Sequence, residues 1–149
     1  MSNETQNPFS NYYDIRGIQS PLTQPLFHDA EVVEKAWGRE IVIANNPFFC
    51  GKILAFNPNA RFSMHFHMKK RESWYVHSGK FTMVYIDTTN ATKFTRELRQ
   101  GDVIDINIGV PHQLIAGDVF GEIFEVSTIH NDLDSYRVEK GDSQKVTEL

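Results

Sequence analysis

His65, His67 and Glu72 fall in one short stretch, His65-Phe66-His67-Met68-Lys69-Lys70-Arg71-Glu72, and His112 closes a later block, Gly109-Val110-Pro111-His112. Three imidazoles and a carboxylate supply neutral nitrogen and one anionic oxygen, the donor set of a divalent first-row metal. Zn, Fe, Mn and Ni all accept such donors, so the ligand types do not choose among them. Side chains on a strand alternate faces, which points Ser63, His65 and His67 the same way, with the two imidazoles about 7 Å apart along the chain. Glu72 then comes from the next strand, after a charged turn, and His112 from a third. A sheet rolled into a barrel brings three such strands together with the four donors inside. Each imidazole would bind through one nitrogen and leave the other for a neighbouring acceptor. Taken singly, any of these histidines would be an ordinary strand residue; the two-part pattern is what argues for a site. His28, His77 and His130 lack that support and are read as structural or solvated, His77 because alternation turns it away from Glu72.

These donors need a β scaffold. From Val32 onward, short β-type runs are separated by turn residues at intervals of roughly eight to twelve positions. The candidate strands are Arg39–Ala44, Phe49–Phe56, Arg61–His67, Ser73–Val76, Lys80–Asp87, Lys93–Arg99, Val103–Ile106, Gln113–Ala116 and Phe120–Thr128. Asn45-Asn46-Pro47, Asn57-Pro58-Asn59 and Ser78-Gly79 have the chemistry of the turns between them. No long stretch carries helical periodicity, although Asp132–Arg137 is expected to form a helical turn. The expected fold is all-β, a single-domain jelly-roll β-barrel over residues 31–149. Residues 1–30 carry Pro8, Pro21 and Pro25 together with Phe9, Tyr12, Tyr13 and Ile15. Too apolar for a free linker, they read as an extended arm packed on the domain or on a partner. Alternation also places Phe62, Met64, Phe66 and Met68 together on the face opposite the histidines. Covering four large apolar side chains calls for the arm or a second subunit, so a homodimer is expected.

The chain has 149 residues, of which 40% are hydrophobic and 12% aromatic, enough for one domain with a sizeable core. A net charge of −4 leaves no basic face to neutralise many phosphates, which argues against a nucleic-acid partner. Its single cysteine, Cys50, forms no internal disulfide and suits a reducing compartment. The polar residues 1–10 lack the basic and apolar regions of a leader, and no run is apolar for long enough to span a membrane. A cytoplasmic protein with no membrane partner is the expectation.

The two blocks resemble the bipartite motif of the cupin superfamily, which implies a jelly roll with metal held by three His and one Glu. Asn59 stands where the first block usually has glycine, Asn107 where the second often has proline, and Ala116 where it often has asparagine. None of these is a ligand position. A narrower resemblance, over about residues 32–142, is to the C-terminal cupin domain of type II phosphomannose isomerases. Lys35-Ala36-Trp37-Gly38 resembles that family's "K-P-W-G", and Pro58-Asn59-Ala60-Arg61-Phe62-Ser63-Met64-His65 its "P-G-x-x-L-S-x-Q". Glu72-Ser73-Trp74-Tyr75-Val76 with Gly79 resembles "E-H-W-x-V-x-x-G". Glu125-Val126-Ser127-Thr128 with Asp134-Ser135-Tyr136-Arg137 resembles the closing "E-V-Q-x-G … D-x-x-R". His65 takes the place of a metal-binding glutamine, and the nucleotidyltransferase domain usual upstream is replaced by the unrelated arm.

The resemblance implies a metal-dependent isomerase of a sugar phosphate, with the metal polarising the sugar carbonyl. It places Arg137 at the position of an arginine that aids catalysis; the competing reading of Arg137 is a surface salt bridge with Asp134 or Glu139. The base is left open, Glu72 itself being one choice and a hydroxide at the metal another. Lys69, Lys70 and Arg71 make a cationic turn suited to phosphate, with Lys52 entering from a neighbouring strand. Lys70 is the preferred member because it stands where the family carries an arginine. Trp74 and Phe124 are candidate cavity walls, or simply core. Two other classes fit the same ligands: another metal-dependent cupin enzyme (dioxygenase, lyase or sugar-nucleotide-modifying), or a sugar-binding cupin without activity.

Overall fold

The computed structural model describes Pro25 and residues 27–145. Two antiparallel sheets face one another. One has the order β1 (Glu31–Lys35), β2 (Gly38–Asn45), β3 (Cys50–Phe56), β10 (Gly121–Ser127), β5 (Glu72–Ser78) and β8 (Val103–Ile106). The other runs β11 (Tyr136–Glu139), β4 (Met64–Phe66), β9 (His112–Ala116), β6 (Lys80–Asp87) and β7 (Thr92–Arg99). A single helical turn, α1 (Asp142–Lys145), follows β11. The expected all-β jelly-roll barrel is the fold found, with its core between the sheets. The arm expected over residues 1–30 falls almost wholly outside the described residues.

Strict alternation on the central strands decides what enters the core. On β5, Glu72, Trp74 and Val76 are buried while Tyr75 and His77 are exposed; on β10, Gly121, Ile123 and Glu125 are the buried set. Pairing aligns the two, with Val76 opposite Ile123 and Trp74 opposite Glu125. β3 continues the rows by placing Leu54 beside Ile123 and Lys52 beside Glu125. One end of the interior is therefore apolar and aromatic, and the other charged. At the apolar end Trp37 stacks on Phe56 with ring centroids 4.6 Å apart, and Phe81 meets Phe56 edge-on at 5.3 Å. Gly38, after Trp37, has φ 144°, and a Cβ there would lie 2.0 Å from the Ala55 carbonyl oxygen. Only glycine lets the β1–β2 hairpin close against β3 at that point. Asn59, in the glycine position of the motif, takes φ 60°, an angle asparagine tolerates well.

All nine expected strands are present, with ends shifted by a few residues, and two more were missed. β1 and β11 are sheet edges, paired on one side only, and their sequences, EVVEK and YRVE, are too charged to stand out. The helical turn expected over Asp132–Arg137 is replaced by a tight turn running into β11. Strand pairing of Tyr136 with Phe66 outweighs the local preference, and the two rings stack at 5.3 Å.

The expected apolar face of Phe62, Met64, Phe66 and Met68 is also corrected. Regular strand covers only Met64–Phe66, with a lone bridge from Arg61 to Ile115 before it. Alternation breaks at Ser63, so Phe62 joins the interior, where its ring lies 5.1 Å from that of His65. Met64 is fully buried, Phe66 lies under Tyr136, and Met68 alone is 52% exposed. Tyr136 of β11 thus covers Phe66, and Met68 is the member left exposed.

Candidate metal centre

His65 on β4 pairs with His112 on β9, and His67 follows just beyond β4. Each of the three gives its Nδ1–H to a backbone carbonyl. His65 reaches Ser63 O at 2.8 Å, His112 reaches Val110 O at 2.8 Å, and His67 reaches Asp134 O. A carbonyl oxygen only accepts, so Nδ1 carries the proton and Nε2 presents a lone pair. One nitrogen from each ring lies within 4.8 Å of the others, close enough to share one ion. These second partners orient the rings as they do around bound metals.

Glu72, at the start of β5, lies beside two of the three. Its Oε1 is 2.6 Å from Lys70 Nζ and 3.6 Å from His67 Nε2, while Oε2 is 3.1 Å from His112 Nε2. Glu72 Oε2 and His112 Nε2 are fully buried, yet neither has a hydrogen-bond donor. With Nδ1–H given to Val110, His112 turns Nε2 toward Glu72 Oε2 at 3.1 Å, and this buried approach calls for a second proton on the ring or a cation joining the two atoms. His65, His67 and His112 thus form a group that could hold a divalent ion through nitrogen, with the Glu72 carboxylate beside it, 3.1 Å from His112.

Charge states agree with this geometry. Burial, with His112 adjacent, pushes the His65 imidazole down to about 3. Burial also lowers His67, against the pull of Glu72. Burial alone would raise Glu72, but His112 and Lys70 beside it hold its carboxyl well below the usual range. Lys70 is buried too, and its two short bonds, 2.6 Å to Glu72 and 2.7 Å to Glu125, hold it charged and well above its ordinary value. His65 and His67 are held toward the neutral form and Glu72 toward the carboxylate, the protonation states a metal requires of its ligands.

Above this cluster opens a cavity of about 310 Å³. His65, His67, Glu72, Lys52, Lys70, Trp74 and Arg137 all line it, whereas His112, 1% exposed, lies beneath. Arg137 pairs in register with His65 and so projects from the same face of its sheet. Its expected alternative partners are engaged elsewhere: Glu139 bonds Lys93 at 2.6 Å, and Asp134 accepts the amides of Met68, Lys69 and Lys70. The expected cationic turn divides, since Lys69 and Arg71 are exposed away from the cavity and only Lys70 enters it. Lys52 is tied to Glu40 at 3.2 Å. Phe124 is corrected as a cavity wall: it lies on the outward face of β10, 37% exposed.

Sequence reasoning missed several contributors. Glu125, on an inward position opposite Trp74, was readable from alternation. Asp134, which pins the turn before Glu72 by three backbone amides, gave no local signal. His130, which the sequence alone reads as structural or solvated, lines the cavity with Asp132. Ser143 and Gln144 of α1 reach the cavity because Asp142 is tied to Arg61 by two hydrogen bonds.

Comparison with known proteins fits the geometry. The cupin family matches residues 50–138, more than half of the chain. The chain is a cupin. Similar solved structures include oxalate decarboxylase from Bacillus subtilis, 16% identical with a TM-score of 0.67 over 74% of this chain and 30% of that one. The capsular polysaccharide assembling protein CapF from Staphylococcus aureus is 18% identical, with a TM-score of 0.68 over 76% of this chain and 33% of that one. Oxalate decarboxylase from Lactobacillus farciminis, in a formate complex, is 19% identical with a TM-score of 0.66 over 74% and 34%. The cupin thus spans about a third of each of these proteins, and the likeness is one of fold. No curated protein matches the sequence. Among the described residues no helix is long and apolar enough to cross a membrane.

Proposed function

We propose that this cupin is a metal-dependent enzyme acting on a small anionic molecule that carries a carbonyl, and that its reaction is sugar-phosphate isomerisation of the mannose 6-phosphate type. The observation that carries the reading is the convergence of one nitrogen each from His65, His67 and His112 within 4.8 Å, with the buried Glu72 carboxylate 3.1 Å from His112. A divalent ion held by the three histidines and Glu72 would supply Lewis acidity toward a substrate oxygen. The cavity, about 310 Å³, suits a small ligand, since such sites run from roughly 300 to 1,000 Å³.

Charge supports an anion. Lys35, Lys52, Lys70 and Arg137 balance Glu40, Glu72, Glu125 and Asp132 around the cavity, so a bound divalent cation leaves the site net positive. With Lys52 and Lys70 each held by carboxylates, Lys35 and Arg137 are left to meet a phosphate, and the planar fork of Arg137 binds one through two bonds. Lys70 then keeps Glu72 charged and in place. Trp74 Nε1, buried without an acceptor, is a donor suited to a sugar hydroxyl. The likeness of residues 32–142 to type II phosphomannose isomerases favours a sugar phosphate.

A homodimer in the cytoplasm is part of the proposal, through a face other than the one first expected. Val103, Tyr75, Phe124, Ile53, Ile41 and Val32 stand in register across the outer side of the six-stranded sheet. Such a continuous apolar row favours a covering partner. A second reading, metal chemistry on a small carboxylate, draws on the fold shared with the Bacillus subtilis oxalate decarboxylase, which has Mn(II) centres. Metal-loaded protein assayed on a panel of aldose–ketose phosphates tests the first reading. Interconversion lost on His112→Ala, with the circular dichroism unchanged, is the expected result; a panel without turnover would end it.

A further inference from the structure

We propose that His130, oriented by Asp132, is the general base of this cavity, the group that carries the proton between adjacent carbons of the substrate. The inference deepens the isomerase reading and rests on it. It starts from a contrast among imidazoles. His65, His67 and His112 give Nδ1–H to backbone carbonyls and turn Nε2 toward the ion site. His130 is held the other way round: Nε2 lies 2.9 Å from Asp132 Oδ1, so Nε2 carries the proton and Nδ1 presents the lone pair. A carboxylate behind an imidazole fixes the tautomer and stabilises the imidazolium formed when the opposite nitrogen takes a proton, the arrangement of a base rather than of a ligand.

Position supports the role. His130 and Asp132 both line the cavity that the ion site opens into. The backbone of His130 is clamped by Asn45, whose Oδ1 accepts its amide at 3.0 Å and whose Nδ2 donates to its carbonyl at 3.1 Å. Its Nδ1 faces Lys70 Nζ at 3.4 Å, a long contact beside the 2.6 and 2.7 Å bonds Lys70 makes to Glu72 and Glu125. A substrate can displace such a contact without disturbing the buried pairs. Burial and the Lys52 and Lys70 ammonium groups hold the imidazole below its ordinary value against Asp132, so it stands neutral, ready to accept. The other available carboxylates are committed: Glu72 to Lys70 and the ion site, Glu125 to Lys70, and Glu40 to Lys52.

The step balances without a co-reactant. The C2–H bond of the aldose breaks, its proton goes to His130 Nδ1, and the electron pair forms C1=C2 as the carbonyl oxygen becomes negative. Once the hydroxyl proton passes from O2 to O1, His130 returns its proton to C1 and a carbonyl stands at C2.

The test compares wild-type, His130→Gln and Asp132→Asn proteins, each loaded with metal, in mannose 6-phosphate and in fructose 6-phosphate made up in D2O. Three quantities are read: bound metal per chain, deuterium entering the substrate C–H positions by NMR, and isomerisation rate. His130→Gln should keep the wild-type metal content and lose about 10²–10⁴-fold in both exchange and turnover. Asp132→Asn, at a side chain 95% exposed, should keep the fold and lose less in the same two rates. His130→Gln exchanging deuterium within threefold of wild type overturns the base while leaving an isomerase; so does loss of its metal, which would make His130 a support of the ion site. Wild-type protein that neither exchanges nor isomerises overturns the isomerase reading, and the base with it.

Discussion

The two ends of the barrel interior are built from the same strands by the same alternation, and they differ in what is left unsatisfied. At the apolar end Trp37, Phe56 and Phe81 interlock, and Phe56 is 0% exposed. At the other end equally buried positions hold Glu72, Glu125, Lys52 and Lys70. Lys70 joins both glutamates through short bonds, and Glu72 Oε2 lies 3.1 Å from His112 Nε2 beside the other two imidazoles. One end holds the fold together. The other gives up stability to keep donors in place for an ion, the usual sign of a site shaped by function.

The sharpest break of this comparison is Phe56→Ala. Removing a stacked, fully buried ring should lower unfolding stability by about 3–5 kcal/mol, read by urea denaturation. A loss under 1 kcal/mol would mean the aromatic end does not support the fold.

pH separates the ends next. In the ion-free protein His65 titrates near 3 when folded, below its ordinary 6.5, so the unfolded chain takes up protons first as pH falls. The His65 contribution is complete above pH 6.5 and declines from there toward pH 3, by about 1.4 kcal/mol per pH unit. Glu72, held low, adds loss in the same direction as pH falls below the carboxylate range. Urea midpoints at pH 7 and pH 5 should therefore differ, and His65→Gln should shrink the difference. Equal midpoints would contradict neutral, buried imidazoles.

Outside the barrel smaller effects are expected. Phe124→Glu places a charge in the apolar row of the six-stranded sheet and should shift a sedimenting dimer toward monomer. An unchanged mass would exclude that face from the interface. Lys93→Ala removes an exposed pair, 2.6 Å from Glu139 but with both side chains about half exposed, and should change stability by no more than about 0.5 kcal/mol in the same urea assay.

Much of this was legible in the residues. His-x-His on a strand, Glu72 on the next and His112 on a third are local spacings, and alternation carries them inward without knowledge of the whole fold. The positions that escaped depend on long-range partners. β11 reads as a turn until it pairs with β4, and Phe62 turns inward because regular pairing begins only at Met64. His130 is two residues from Asp132, which hints at a pair, but its place at the cavity is set by Asn45, distant in sequence. Glu125 was within reach, since it shares the inward face of β10 with Ile123.

The most direct test is metal content. Elemental analysis of purified wild-type protein and of His112→Ala, each dialysed against the same divalent ions, should give one ion per folded chain for the first and far less for the second. Equal metal in both, or none in the wild type at saturating ion, would contradict a centre formed by His65, His67, His112 and Glu72.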